Sequence, residues 1–347
     1  MTICFLLNDV ATEKCGTSVV MMRRAAMRGH SVYVMDVGDF YFNSGQPLSL
    51  HVHVVSPEID TKESQEFLKT IQETGDKTTI SARDLDVLFV RNNPTEESAA
   101  RRWAEQPGIA FGRMIQRQGV LVLNDAYAMS NAFIDKLYFE ELPQEIKPRS
   151  IVSRNRQDIL NFYEKMGGKM VVKPLEGSGG RGVFLIEKDE SNLNQILDTI
   201  EQDGYIIAQE FLPAASEGDL RVILMNGHLL TEDGKHAIIR RKGSDGEFRN
   251  NISAGGSVQV AELTPEIEHI IRVTAPNLIR DGLFLVGLDI VEDKLIEINV
   301  LSPGGLETCE SVGLPDFTTT IIESIERKVE AKKRKPTTPN AELACME

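Results

Sequence analysis

Apolar and polar residues recur along this chain with two periods, and the switches between them mark out its elements. The apolar run from Ile3 to Leu7 predicts a short buried strand. Helical spacing follows from about Thr17 to Arg28, with Gly29 placed as the stop. Ser31 to Val37 predicts a second strand, so the chain opens as a βαβ unit on a small parallel sheet. Residues 38–65 look irregular or antiparallel, with His51 to Val55 as an edge strand. Leu85 to Val90 reads as another buried strand, ending at Arg91-Asn92-Asn93-Pro94. A polar cluster just past a strand's carboxyl end is where α/β sheets place ligand contacts, although a plain surface turn fits the residues equally well. Gly119 to Asn124 closes the first domain as a strand.

Asn131 to Leu142 has helical spacing and carries Lys136, which nothing local distinguishes from a solvated lysine. A helix is predicted over Ser153 to Gly167 and another through Leu193 to Ile200. Strands are predicted over Tyr205 to Leu212 and Asp219 to Met225, the latter turning at Asn226-Gly227, a strong hairpin signal. Residues 233–257 form a long polar stretch rich in Gly, Asp, Arg and Lys, which reads as a lid. Thr264 caps a helix that has Pro265 at its first position and Pro276 as an expected kink. Beyond the terminal helix, the chain from Lys332 to its end reads as a frayed, solvated tail that starts with the basic run Lys332 to Lys335.

Chemistry first appears between two strands, at Lys173-Pro-Leu-Glu-Gly-Ser-Gly-Gly-Arg-Gly182. Gly177, Gly179 and Gly182 fit G-x-G-x-x-G, but the run Val183 to Ile186 comes next, where a dinucleotide site needs a helix. No Gly-Lys-Ser/Thr closes a P-loop either. A glycine-rich hairpin remains, able to fold over phosphates because glycine lets backbone N–H groups approach an anion closely. Lys173 adds a cation at its mouth. An ordinary hairpin with a loose tip is the competing reading.

A second hairpin runs from Phe284 to Val291 and from Leu295 to Val300. Centred on Asp293 without a bulge, it sets Asp289 opposite Glu297, with Asn299 on the same face. Two facing carboxylates among Val, Leu and Ile should protonate or find a cation, and removing either charge should leave the ligand-free protein as stable or more so. Mg²⁺, which takes oxygen ligands, answers that need. A solvent-facing polar sheet face is the alternative.

Composition narrows the class. The chain has 347 residues, enough for two or three packed domains, and a net charge of −14, which argues against nucleic-acid and anionic-membrane partners. No apolar run approaches the ~20 residues that cross a bilayer. The N-terminus reads as a first strand and not as a signal peptide. The four cysteines have no metal-ligand spacing or disulfide framework, and a reducing cytoplasm is the simplest compartment.

Laid out in order, these pieces resemble an ATP-grasp carboxylate–amine ligase, and most closely the bacterial-type glutathione synthetases. The similarity runs from Ile3 to about Arg327, through Arg28-Gly-His-Ser-Val-Tyr, Val172-Lys-Pro-Leu-Glu-Gly, Ala208-Gln-Glu-Phe-Leu-Pro213, Gly218-Asp-Leu-Arg-Val222, Arg249-Asn-Asn-Ile-Ser-Ala-Gly-Gly256 and Val286-Gly-Leu-Asp-Ile…Glu297-Ile-Asn299. The resemblance implies α/β and α+β architecture, an ATP-grasp fold behind an N-terminal parallel βαβ domain. The implied units are an N-terminal substrate-side domain (1–125), a central subdomain with the glycine hairpin (126–212), a C-terminal subdomain with lid and metal site (213–328) and the solvated tail (329–347).

The same resemblance implies roles. Lys136, Lys173, Gly177, Ser178, Gly179, Gly180, Gln209, Glu210, Phe211, Leu212 and Asp219 would handle ATP. Arg221, Arg241 and Arg249 would face the reacting carboxylate and phosphoryl group. Asp289, Glu297 and Asn299 would hold Mg²⁺ or Mn²⁺. Arg91, Asn251, Gly255, Gly256, Ser302, Gly304 and Gly305 would bind the small peptide or amino-acid substrates. The implied reaction is glutathione synthesis from γ-glutamylcysteine and glycine in a cytoplasmic homo-oligomer. The loop Asn8 to Ser18, Arg91-Asn92-Asn93-Pro94 and Ser302-Pro-Gly-Gly305 depart from the family pattern, all on the substrate side. A related ligase with another carboxylate and amine is therefore the first alternative, and a non-catalytic ATP-binding protein like the synapsins is the second.

Overall fold

The computed structural model describes the chain apart from residues 56–62, 76, 132–134, 176–181, 189, 203 and 244–255. Three main sheets carry it. In the first, the strands Thr2–Leu7, Ser31–Asp36, Val87–Val90 and Leu121–Leu123 pair in parallel, as the opening pattern predicts. Ser49–Val55 adds antiparallel to Ser31–Asp36, and Phe40–Tyr41 and Thr78–Ser81 pair with it in turn. The helices Ser64–Glu73 and Pro107–Arg117, which the pattern reading does not single out, support this sheet.

The second sheet is antiparallel, ordered Phe184–Ile186, Met170–Pro174, Ile206–Glu210, Ser150–Ser153. Ser150–Ser153 is a strand where a helix start is predicted, and the helix itself begins later, over Arg156–Lys165. Asn155 sets that boundary, because its side chain accepts from the Gln157 N–H as the cap. The glycine stretch does join two paired strands, Met170–Pro174 and Phe184–Ile186, but its tip, 176–181, lies outside the described residues. This unit has its own small core of Ile159, Phe162, Met170, Val172, Ile186, Leu197, Ile200, Ile206 and Ala208. The first and third sheets instead share their cores, with Leu88 and Leu288 in one cluster and Phe89 and Phe284 in another.

The third sheet is ordered Ser257–Val260, Ile238–Lys242, Asp219–Met225, Leu285–Val291, Lys294–Asn299. It corrects the lid expectation at both ends. Residues 233–257 are not one loop, since Lys235–His236, Ile238–Lys242 and the start of Ser257–Val260 are strands, and only 244–255 lie outside the described residues. The helix Pro265–Arg280 runs on through Pro276.

The tail is also corrected. The helix Thr318–Arg334 continues to a short helix, Asn340–Ala344, that is packed into the body, with Leu343, Ala344 and Cys345 buried. The Asn340 amide bonds both the N–H (2.9 Å) and the carbonyl (2.8 Å) of Val122, covering the open edge of the parallel sheet. The stretch from Lys333 to Thr337 is exposed, as expected. No helix among the described residues is long and apolar enough to cross a membrane.

Candidate active site

Four adjacent strands of the third sheet bring the predicted charged residues together. The register sets Asp219 opposite Arg241, Arg221 opposite Asp289, Asp289 opposite Glu297 and Gly287 opposite Asn299. The predicted Asp289–Glu297 pairing is present, but it is reached differently. The turn has two residues, with Glu292 at φ 54° and Val291 facing Lys294, and a register shift between Asp289 and Ile290 restores the pairing.

Asp289 does not confront Glu297 as an unpaired charge. Arg221 Nε donates to Asp289 Oδ1 at 2.6 Å and Arg221 Nη2 to Oδ2 at 3.2 Å. Arg241 Nη2 lies 3.1 Å from Asp289 Oδ1, and Asn299 Nδ2 donates to Oδ2 at 3.3 Å. Burial alone would raise the Asp289 carboxyl, but the Arg221 and Arg241 guanidiniums hold it below the usual carboxylate range. Asp219, expected to contact ATP, has both carboxylate oxygens on Arg241, each at 2.8 Å. Burial, with the nearby Asp289 charge adding to it, pushes Asp219 up to about 6 against the pull of Arg241. Burial pulls Arg241 down, and Asp289 and Asp219 more than reverse that.

Beside this ladder lies a narrow cleft, open to solvent, lined by Lys136, Glu140, Lys173, Gln209 and Glu297 together with Phe139 and three isoleucines. Lys136, unremarkable in sequence, is buried, and its Nζ donates to the Pro174 carbonyl at 2.7 Å, tying its helix to the glycine hairpin. Neither the Lys173 nor the Glu297 side chain has a hydrogen-bond or ion-pair partner among the described residues. Gln209 is buried at the cleft wall. The Glu210 carboxylate is taken by Arg149 (2.7 Å and 3.1 Å), whose hydrogen bond lowers its pKa, and Lys169 Nζ sits 4.2 Å from the Phe211 ring centre. Leu212 comes next, at the cap of a short turn.

Of the residues expected on the substrate side, Arg91, Gly304 and Gly305 meet at the seam between the first and third sheets. Arg91, 4% exposed, donates from Nη2 to the Pro303 carbonyl (2.8 Å) and from Nε to Ser18 Oγ (3.1 Å). Burial lowers its pKa to about 10, while burial raises nearby Glu13 to about 7 in spite of Arg91. The Gly304 carbonyl accepts from Arg221 Nη1 at 2.9 Å, and the Gly305 N–H donates to Thr17 Oγ1 at 3.0 Å. Ser302 is half-buried at the start of this loop. Asn92 turns under the helix Pro107–Arg117, where a Cβ on Gly108 would stand 2.3 Å from its Oδ1, and neither of its buried side-chain polar atoms has a partner among the described residues. Gly256 allows a similarly close approach, since a Cβ there would stand 2.4 Å from the Lys242 carbonyl oxygen. Gly177, Ser178, Gly179, Gly180, Arg249, Asn251 and Gly255 lie outside the described residues. Thr17, Ser18, Glu13 and Arg149 carry no sequence motif, and only their partners bring them to notice.

The profile of the prokaryotic glutathione synthetase N-terminal domain matches residues 1–129, and that of its ATP-grasp domain matches residues 135–313. The glutathione synthetase of Gloeobacter violaceus is 34% identical over 319 residues, covering 89% of this chain and 91% of its own. That of Yersinia pestis is 31% identical over 327 residues, covering 92% and 95%. Among solved structures, a D-cycloserine synthetase superposes with TM-score 0.60 at 14% identity, over 93% of this chain and 99% of its own. A D-alanine–D-alanine ligase from Bacillus anthracis complexed with ATP superposes with TM-score 0.52 at 16% identity, over 96% and 99%. At such identities the structures establish the ATP-grasp fold alone. With both domain profiles matched in order and close to a third of its residues shared with these relatives, the chain belongs to the prokaryotic glutathione synthetase family.

Proposed function

We propose that this protein is an ATP-dependent carboxylate–amine ligase that joins γ-glutamylcysteine to glycine. One observation carries the reading: Lys173 and Glu297, neither with a side-chain partner among the described residues, share one cleft beside a ladder of arginines. The substrate carboxylate oxygen attacks the γ-phosphorus of ATP and ADP leaves, giving an acyl phosphate. The amine then attacks the acyl carbon and phosphate departs. Such chemistry asks the protein for placement and neutralisation of charge, with no protein nucleophile. Lys136 and Lys173 would sit against the ATP phosphates, with Gln209 to Leu212 along the adenine. Arg221 and Arg241 would stabilise the charge that develops on the transferred group, and Arg91 would hold the seam where the substrate carboxylate enters.

The residues present suit a hard divalent ion. Among the described residues no three His, Cys, Asp or Glu side chains form a cluster, so the set would need Asn299 as its third member. Asp289, Glu297 and the amide oxygen of Asn299 make an all-oxygen set on neighbouring strands, which suits Mg²⁺ or Mn²⁺. Held by these residues, the ion would supply positive charge against the nucleotide phosphates. A cytoplasmic homo-oligomer completes the proposal, its assembly to be read by sedimentation. The decisive experiment supplies ATP and Mg²⁺ with a matrix of carboxylates and amines, quantifying ADP and product together. Glutathione and ADP in equal amounts are the expected result. ADP formed with another pair, and none with γ-glutamylcysteine and glycine, would replace the named substrates while keeping the ligase.

A further inference from the structure

We propose that Asp219 is a positioning residue that takes over Arg241 when Asp289 turns to the metal, so that metal loading and arginine release are one exchange. The inference rests on the metal assignment of the proposed function and goes beyond it. Asp289 accepts from Arg221 Nε (2.6 Å) and Nη2 (3.2 Å), from Asn299 Nδ2 (3.3 Å), and pairs with Arg241 Nη2 (3.1 Å). A carboxylate has about four lone-pair directions, so this one is saturated. It cannot ligate an ion beside Glu297 until a donor leaves.

The geometry says which donor leaves. Arg221 stands directly across the strand pair from Asp289, grips both of its oxygens and is anchored again at the Gly304 carbonyl. Asn299 can turn its amide and give up Oδ2, but Oδ1 is then still held between Arg221 and Arg241, so the carboxylate cannot turn toward Glu297 until one guanidinium withdraws. Arg241 holds Asp289 through one nitrogen, and that same nitrogen already reaches Asp219 at 2.8 Å, with Nε making a second 2.8 Å bond. Arg241 therefore has a second carboxylate to rely on, directly opposite on the neighbouring strand. Withdrawn from Asp289, it stays charged, fixed by two bonds, and gains a free N–H for the reacting group. Asp219 thus acts through Arg241 and not on the nucleotide.

Opposite shifts in metal affinity test the exchange. Mn²⁺ is titrated into nucleotide-free enzyme and free Mn²⁺ is read by electron paramagnetic resonance. Arg241→Gln removes the competitor and should tighten Mn²⁺ by about tenfold, the scale of one nearby charge in a partly screened site. Asp219→Asn leaves Arg241 with Asp289 alone and should weaken Mn²⁺ by a similar factor, with Asp219→Glu recovering part of the loss. In turnover, Asp219→Asn should lower kcat with little change in the KM for ATP, whereas a nucleotide contact would raise that KM. Glu297→Gln serves as the control, since it touches the metal set and leaves the arginines paired. If Glu297→Gln loses Mn²⁺ while Arg241→Gln binds it no more tightly than wild type, the exchange is overturned and the metal site stands. If Glu297→Gln binds as wild type does, the metal assignment falls and the exchange with it. Should Asp219→Asn fail to fold, the Arg241→Gln isotherm decides alone.

Discussion

A buried carboxylate that faces another carboxylate and one clamped by two guanidiniums answer the same mutation in opposite ways. From sequence, Asp289 and Glu297 repel, and removing either charge should be harmless to the ligand-free fold. In the structure Asp289 is 4% exposed and bonded to Arg221 and Arg241, so its loss leaves the buried Arg221 without a carboxylate and Arg241 with Asp219 alone. Asp289→Asn is expected to destabilise the protein by about 3–5 kcal/mol, the cost of breaking a buried ion pair on one side only. Glu297→Gln, with no side-chain partner among the described residues, should stay within about 0.5 kcal/mol of wild type. Urea unfolding of the two variants checks this, and equal midpoints would mean the arginines find other partners without cost. The pairing of Asp289 with Glu297 was legible in the alternation of residues, because strand geometry is local. The arginines were legible as charges but not as its partners, since Arg221 and Arg241 come from strands far earlier in the chain.

At the scale of elements, the C-terminal helix Thr318–Arg334 shows how packing overrides a polar pattern. Lys328 lies on its buried face, donating to the Met346 carbonyl with its Nζ 5.1 Å from the Phe284 ring centre. Burial pushes Lys328 down to about 7, with Cys345 and Glu347 opposing that shift and Arg327 adding to it. An unfolded lysine titrates near ~10.4, so above pH 7 the unfolded chain binds more protons at this site than the native one. Burial of Lys328 therefore costs the most stability below about pH 7, and that cost is relieved as pH rises from there toward the unfolded value. Burial holds the Cys345 thiol up at about 12, which reverses the trend once unfolded thiols begin to ionise. Between about pH 7 and 8.5 wild type should gain of order 1 kcal/mol per pH unit relative to Lys328→Met. Denaturant unfolding at several pH values measures it, and parallel curves would show that the lysine keeps its ordinary affinity for protons.

Across the whole molecule, the first and third sheets share two cores while the glycine-hairpin unit keeps its own, which leaves that unit the most separable part of the fold. The tail works in the other direction. Asn340 bonds Val122 twice and Asp125 once (2.9 Å), so the last residues of the chain fasten the edge of its first sheet. Asn340→Ala leaves a buried N–H and a buried carbonyl unpaired and should cost about 2–4 kcal/mol. The urea midpoint reads that loss, and an unshifted value would mean the tail adds nothing to stability. By itself the sequence determined the parallel opening, both hairpins, the lysine beside the glycines and the facing positions of Asp289 and Glu297. All of these come from periodicity and turn chemistry within a few residues. Tertiary structure alone decided that Asp219 serves Arg241, that Arg91 holds the Pro303 carbonyl, 212 positions away, and that the tail is buried. A hydrogen bond is set by where two strands meet in a sheet, and sheet order need not follow chain order.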